Sequence, residues 1–274
     1  MPAKKKSKRI MVRESNALID GCHNLNLSQM KMFLIILGEV YRGGKKPLKE
    51  YKTFISDLIG IELPRKKGRP SKLSLINEYK TARSIVRSLQ KKLITIPLDK
   101  GEGIGPYDVQ LIGGVHYPPR AGYFTFKVDA DLIPHILDLN ARYSKYDILN
   151  CLPCKSIHSI RLYQILKSYS GLGERVIPLD ELKEMLNVQG KYRLYADFRR
   201  YVLLRAQKEL KKVSDLFFTF KEIRKGKKVY SIHFIIKLKG QMNMFKGNGS
   251  YRPAEAALED AEKVEVVQYG EWVK

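Results

Sequence analysis

The sequence predicts an α+β fold in which one order of elements, helix, short helix, long basic helix and β-hairpin, occurs twice. Three observations predict it. Apolar residues recur at helical spacing in segments that end at Gly or Pro, each half then turns to strand-like segments, and cations gather on the long helices and a hairpin tip. The 274 residues, 44% hydrophobic, suffice for two ordinary cores.

Residues 2–9, PAKKKSKR, form a basic tail that cannot bury apolar surface. It is either a solvated end or an arm that follows phosphates, and residues 1–11 are set apart as disordered. Order begins near Val12. From residue 27 the positions Leu27, Met30, Phe33, Leu34, Leu37, Val40 and Tyr41 have helical spacing, with Asn26 and Ser28 as N-cap chemistry and Gly43 and Gly44 as the stop. Residues 51–61 place Phe54, Ile55, Leu58 and Ile59 as in a two-turn helix. The run PRKKGRP at 64–70 is a loop by composition. Residues 72–93 carry Leu75, Tyr79, Ala82, Val86, Leu89 and Leu93 on one stripe, with Lys80, Arg83, Arg87 and Lys91 largely off it. Strands follow at 93–98, 109–117 and 123–128. A helix-turn-helix followed by hairpin strands is a winged helix, assigned to residues 12–140.

The same order returns in residues 141–240. Residues 156–169 read as a helix through Ile160, Tyr163, Ile165, Leu166 and Tyr169, broken by Gly171 and Gly173. Residues 179–186 form a short helix whose first turn is acidic. Residues 195–213 form the long basic helix. On a 100° wheel Phe198, Val202, Ala206, Leu210 and Val213 are buried, Arg193, Arg200, Gln207, Lys208 and Lys211 face outward, and Arg199 lies near the edge. Strands at 216–223 and 229–238 enclose a tip, Arg224, Lys225, Gly226, Lys227 and Lys228, suited to a wing. The two units are thus pseudo-symmetric.

Charge narrows the partner. With 51 Lys and Arg against 28 Asp and Glu, the net charge is +23, most easily explained by a polyanion. A membrane surface is disfavoured, because the longest apolar run, residues 32–37, cannot span and no hydrophobic stretch follows the first lysines. Nucleic acid remains. After Gly240 four cations meet six acids, so residues 241–274 net −2 and read as a flexible acidic tail. An outward set of Arg, Gln and Lys suits a major groove, where Arg pairs with guanine and Gln with adenine; the alternative is a solvated basic face. In the loop, Arg65, Lys66, Lys67 and Arg69 either contact phosphates or, through Gly68, Arg69 and Pro70, enter a narrow minor groove as an AT-hook does.

Catalytic chemistry is not expected. The P-loop pattern is absent, the five histidines are isolated, and no cofactor or metal is called for. Asp129 and Asp131 after a strand resemble the paired carboxylates of a primase or nuclease, but the preferred reading is a helix N-cap. Three cysteines, an odd number, argue for a reducing cytoplasm; Cys151 and Cys154 have redox spacing without a second pair to complete a zinc site.

Several blocks together resemble a known family. SIRLYQILKSY at 159–169, PLDELKEML at 178–186, Tyr192, Phe198, Arg199, Arg200, Val202, Leu203 and Ala206, the segment 217–228, and SNALI at 15–19 are similar to the replication initiators of iteron-containing plasmids, the RepE and pi type. The resemblance covers nearly all of residues 12–240. It implies that the second unit reads most of each repeat, the first contacts its other end and dimerises, monomers open the origin, and dimers repress their own gene at an inverted repeat. It maps the recognition helix to 195–213, with Arg199 and Arg200 leading, and the second wing to Arg224, Lys225, Lys227 and Lys228. Host initiator and helicase are the implied partners. In the tail, Gln241, Met244 and Phe245 of QMNMF resemble the peptide that docks on the bacterial sliding clamp; the alternative is a simple linker. A dimeric repressor without initiator role is the alternative function.

Overall fold

The computed structural model describes residues 10–21, 24–44, 49–54, 72–96, 107–118, 122–137 and 143–239. The first unit opens with β1 (Met11–Ser15), which leads directly into α1 (Asn16–Asp20) because the Ser15 hydroxyl accepts from the Leu18 N–H and caps it. Next comes α2 (Leu27–Arg42), its start fixed by a reciprocal capping box between Asn26 and Gln29 and its end at Gly43. This helix is apolar on nearly all sides, with Met30, Met32, Phe33, Leu34, Ile35, Ile36, Leu37 and Val40 buried, so it forms the centre of the unit rather than its surface.

The expected short helix at 51–61 is corrected at its start, where Tyr51–Phe54 is β2. Burial there alternates strictly, with Tyr51 and Thr53 inside and Lys52 and Phe54 outside, and the run is rich in strand formers. Residues 55–61 lie outside the described residues. Helix α3 (Lys72–Gln90) follows and is tied to α2 where Gln29 Nε2 donates to Ser88 Oγ at 3.0 Å. The strand expected at 109–117 is two strands. β4 (Tyr107–Gln110) pairs with β3 (Leu93–Ile96), whereas β5 (Val115–His116) joins β6 (Tyr123–Phe126), which also pairs with β2. Leu111 and Ile112 are buried at the break and Gly113 and Gly114 carry the change of direction.

Asp129 caps the next turn: its Oδ1 accepts from the Asp131 N–H at 3.1 Å, opening a 3-10 turn that runs into α4 (Ile133–Leu137). Strand β7 (Tyr143–Asp147) then returns to pair antiparallel with β1 along its whole length. Neither β1 nor β7 was expected.

The second unit contains α5 (Ile157–Lys167), β8 (Glu174–Pro178), α6 (Leu179–Met185), the long helix, and the hairpin β9 (Leu216–Lys225) and β10 (Lys228–Leu238). The sheet order is β8-β10-β9. Strand β8 was also unexpected. The long helix is α7 (Tyr195–Phe198), a π-helical segment (Arg199–Leu204) and α8 (Arg205–Val213) in unbroken succession. Both halves are winged helices. Cys151 and Cys154 are buried free thiols in the segment just ahead of α5, and burial pushes the Cys154 thiol up to about 12 and that of Cys151 well above its usual value. They are packed as small apolar side chains.

Candidate nucleic-acid interface

The second unit offers its long helix and its wing side by side. Phe198, Val202, Ala206, Leu210 and Ser214 are all buried at steps of four residues. In a uniform α-helix each such step drifts by about 40°, so the stripe would wander by roughly 160° over its length. The π segment has wider turns and takes up that drift, which is why Leu203 is also buried beside Val202. Arg193, Arg200, Lys208 and Lys211 are left exposed on the outer side.

Gln207 is placed differently from the wheel. It is half-buried and its Nε2 donates to the Phe218 carbonyl of β9 at 3.0 Å, joining helix to hairpin. Arg199 is exposed but pairs through Nε with Glu222 at 3.2 Å, and Arg224 pairs with the same carboxylate. Burial works against the Glu222 charge, yet the two arginines and Tyr195 outweigh it and hold its pKa below the usual value. Burial and the same carboxylate push the Tyr195 phenol up. Glu222 therefore binds the long helix to the hairpin, a role the sequence reading missed. Its signal was a lone acid inside a basic hairpin.

At the wing tip Gly226 has φ +60°, the left-handed backbone that a two-residue hairpin turn requires. Lys225, Lys227 and Lys228 are exposed around it, and the Lys225 ammonium lies 3.8 Å from the centre of the Tyr230 ring. Tyr201, half-exposed, stacks on Tyr192 with ring centres 6.4 Å apart, and the Arg200 guanidinium lies 5.4 Å from its centre. A preformed aromatic support for Arg200 reduces the side-chain entropy that a base contact would otherwise cost.

In the first unit Lys80, Arg83, Ser84, Arg87, Ser88 and Lys91 line one groove along α3, about 500 Å³ in volume. The four predicted cations of this helix are thus brought together. Tyr117 lies against one of these cations: the Arg83 guanidinium sits 4.9 Å from its ring centre, and burial pushes its hydroxyl pKa up despite Arg83 and Arg87 nearby. The sequence reading did not single it out. Arg65, Lys66, Lys67 and Arg69 lie outside the described residues, as do Gln241, Met244 and Phe245. Among the described residues no group of three His, Cys, Asp or Glu side chains is arranged to hold a metal. No described helix is long and apolar enough to cross a membrane.

Comparison with known proteins places this geometry. The family described as Initiator Replication protein, WH1, matches residues 11–167, and Initiator Rep protein, WH2, matches residues 178–236. The PI protein of Escherichia coli is 29% identical over 162 residues, which is 52% of this chain. The match spans 53% of that relative, about half its length. The crystal structure of Pi initiator protein in complex with iteron DNA is similar at TM-score 0.65 and 22% identity, over 85% of this chain and 99% of that one. At that identity the likeness speaks for the fold.

Proposed function

Because the chain belongs to the initiator replication protein family, matched by both its winged-helix models, we propose that it is a plasmid replication initiator that binds direct repeats at an origin. The observation that carries this reading is the pairing of two basic faces in one chain, the outer side of 195–213 with its wing and the α3 groove. A crystallised Pi initiator protein of the same fold is bound to iteron DNA, which supports extending that ligand to this chain.

In this reading residues 141–240 are the main reader, through Arg193, Arg199, Arg200, Lys208, Lys211 and the tip. Gln207 contributes chiefly by holding the helix against β9. Residues 12–140 contact the other end of the repeat through Lys80, Arg83, Arg87 and Lys91, and supply the dimer that represses its own gene. Binding opens adjacent A·T-rich DNA and recruits host initiator and helicase, while Gln241, Met244 and Phe245 offer a clamp-docking peptide. No reaction is catalysed by the protein itself.

The DNA flanking the coding sequence tests the proposal. Tandem repeats of about 20 base pairs, two turns, protected together in a footprint, fit two heads along one duplex face. A lone palindrome bound only by a dimer would instead make the protein a repressor.

A further inference from the structure

Glu14, Ile19, Asp20, Gly21 and Asn24 of the first unit meet the second through a line of polar contacts. At its centre is Arg161 of α5, 2% exposed and among the largest fully buried side chains. Its Nη2 donates to the carbonyls of Ile19 at 2.7 Å, Gly21 at 3.0 Å and Met185 at 3.2 Å, and its Nη1 donates to Gln164 Oε1 at 3.2 Å. Gln164 in turn donates to the Glu14 carboxyl group at 3.0 and 3.2 Å, so a buried acidic side chain stands behind the buried cation. Further along, Arg175 of β8 reaches Asp20 at 3.4 Å, and Asn187 Nδ2 donates to Asn24 Oδ1 at 3.2 Å.

Two of these carbonyls, those of Ile19 and Gly21, belong to the end of α1, where a helix cannot satisfy its own acceptors. The third closes α6. Gly21 also touches the first unit's sheet so closely that an added Cβ would lie 2.8 Å from the Thr95 carbonyl of β3. The end of α1 is therefore a wedge, seated on the first unit by steric contact and held to the second chiefly by the Arg161 guanidinium, with Arg175 on Asp20 beside it. A guanidinium presents its donors in a fixed plane, so three carbonyls converging on it specify an angle, whereas apolar packing of equal area tolerates sliding.

We infer that Arg161 is a positioning residue for DNA recognition: by clamping α1 and α6 it fixes the angle between the two reading heads, and with it the spacing of sequence blocks the chain accepts. The inference rests on the reading of both units as DNA-binding heads. Two tethered heads bind as one only where the tether matches the span between their sites. One added base pair moves a block by about 3.4 Å and turns it by roughly 34°, so a stiff joint accepts one spacing and a loose joint several.

The test uses the full chain and Arg161→Met in selections from a duplex library with a randomised centre, followed by affinities for the selected spacing and for spacings one base pair longer and shorter. Wild type is expected to select two sequence blocks at one spacing, with about tenfold weaker binding one base pair away. Arg161→Met is expected to select the same two blocks at several spacings, with that penalty below about threefold. A folded Arg161→Met that binds more weakly overall but keeps the single spacing and full penalty has lost only structural support, and overturns the inference. If Arg161→Met does not fold, Asp20→Asn loosens the same joint from its more exposed side. It is expected to reduce the penalty about twofold or more, and an unchanged penalty overturns the inference. Failure of wild type to select paired blocks strikes the two-head reading itself, and the inference falls with it.

Discussion

Replacing Glu14 by glutamine keeps the shape of a side chain that is wholly buried and removes its ability to ionise. Its carboxylate accepts from the Tyr146 hydroxyl at 2.8 Å and from Gln164, with the charge of Arg161 nearby, but no water reaches it. Burial outweighs these favourable contacts and pushes its pKa up to about 7 from 4.5. Between those values the unfolded chain releases a proton that the folded one retains. The contribution to stability is therefore complete below pH 4.5 and is lost as pH rises through about 7. At about 1.4 kcal/mol per pKa unit the loss is about 3 kcal/mol. Urea unfolding of wild type and Glu14→Gln, followed by far-ultraviolet circular dichroism across this window, isolates the effect, because the difference cancels every other titrating group. Wild type should lose about 3 kcal/mol relative to the variant on going from acid to neutral pH. Parallel curves throughout the window would refute the assignment of this proton to Glu14.

Arg200→Ala is expected to weaken specific DNA binding by about 1–3 kcal/mol, whereas Lys227→Ala chiefly lowers the salt slope by about one; equal losses on specific and random duplexes for Arg200→Ala would exclude base reading. Glu222→Gln frees Arg199 and Arg224 from their shared carboxylate, so affinity for random duplex should rise and the salt slope steepen by about one to two, and an unchanged slope would count against the hub. Leu210→Ala, at a side chain fully buried on the inner face of α8, should cost about 2–5 kcal/mol in urea unfolding. An Asp129→Ala/Asp131→Ala double variant should retain origin activity in a plasmid maintenance assay, since Asp129 serves as a cap. Loss of origin activity in a folded double variant would revive a metal-dependent role.

What could be read from the sequence was what is written locally. Helix α2 announces itself through Asn26 and Gly43, and α3 and the long basic helix through stripes that need only their own neighbours. β1 and β7 escaped because each is five residues long and completes its pattern only against the other, Met11 opposite Asp147. The helix expected at 51–61 failed at its start for a related reason: Tyr51–Phe54 fits either period until β6 is beside it. At the site, the outward cations of α3 and the wing were legible from charge alone. Gln207 was not, because a uniform wheel cannot show the π segment that turns it toward Phe218. The four-residue spacing of Phe198, Val202, Ala206 and Leu210 was the available clue. Arg161 read as one more cation on a helix, since the carbonyls that it holds lie up to 142 positions away.

The union of β1 with β7 also sets a timetable for synthesis. Glu14 leaves the ribosome 132 positions ahead of the Tyr146 it must meet, an interval of roughly 7 to 26 s at ordinary elongation rates. During that wait the opening strand has an unpaired edge. The pairing of the opening strand waits until residues 143–147 have emerged. A nascent chain stalled before residue 143 would thus hold an unfinished first half whose opening strand keeps an exposed edge.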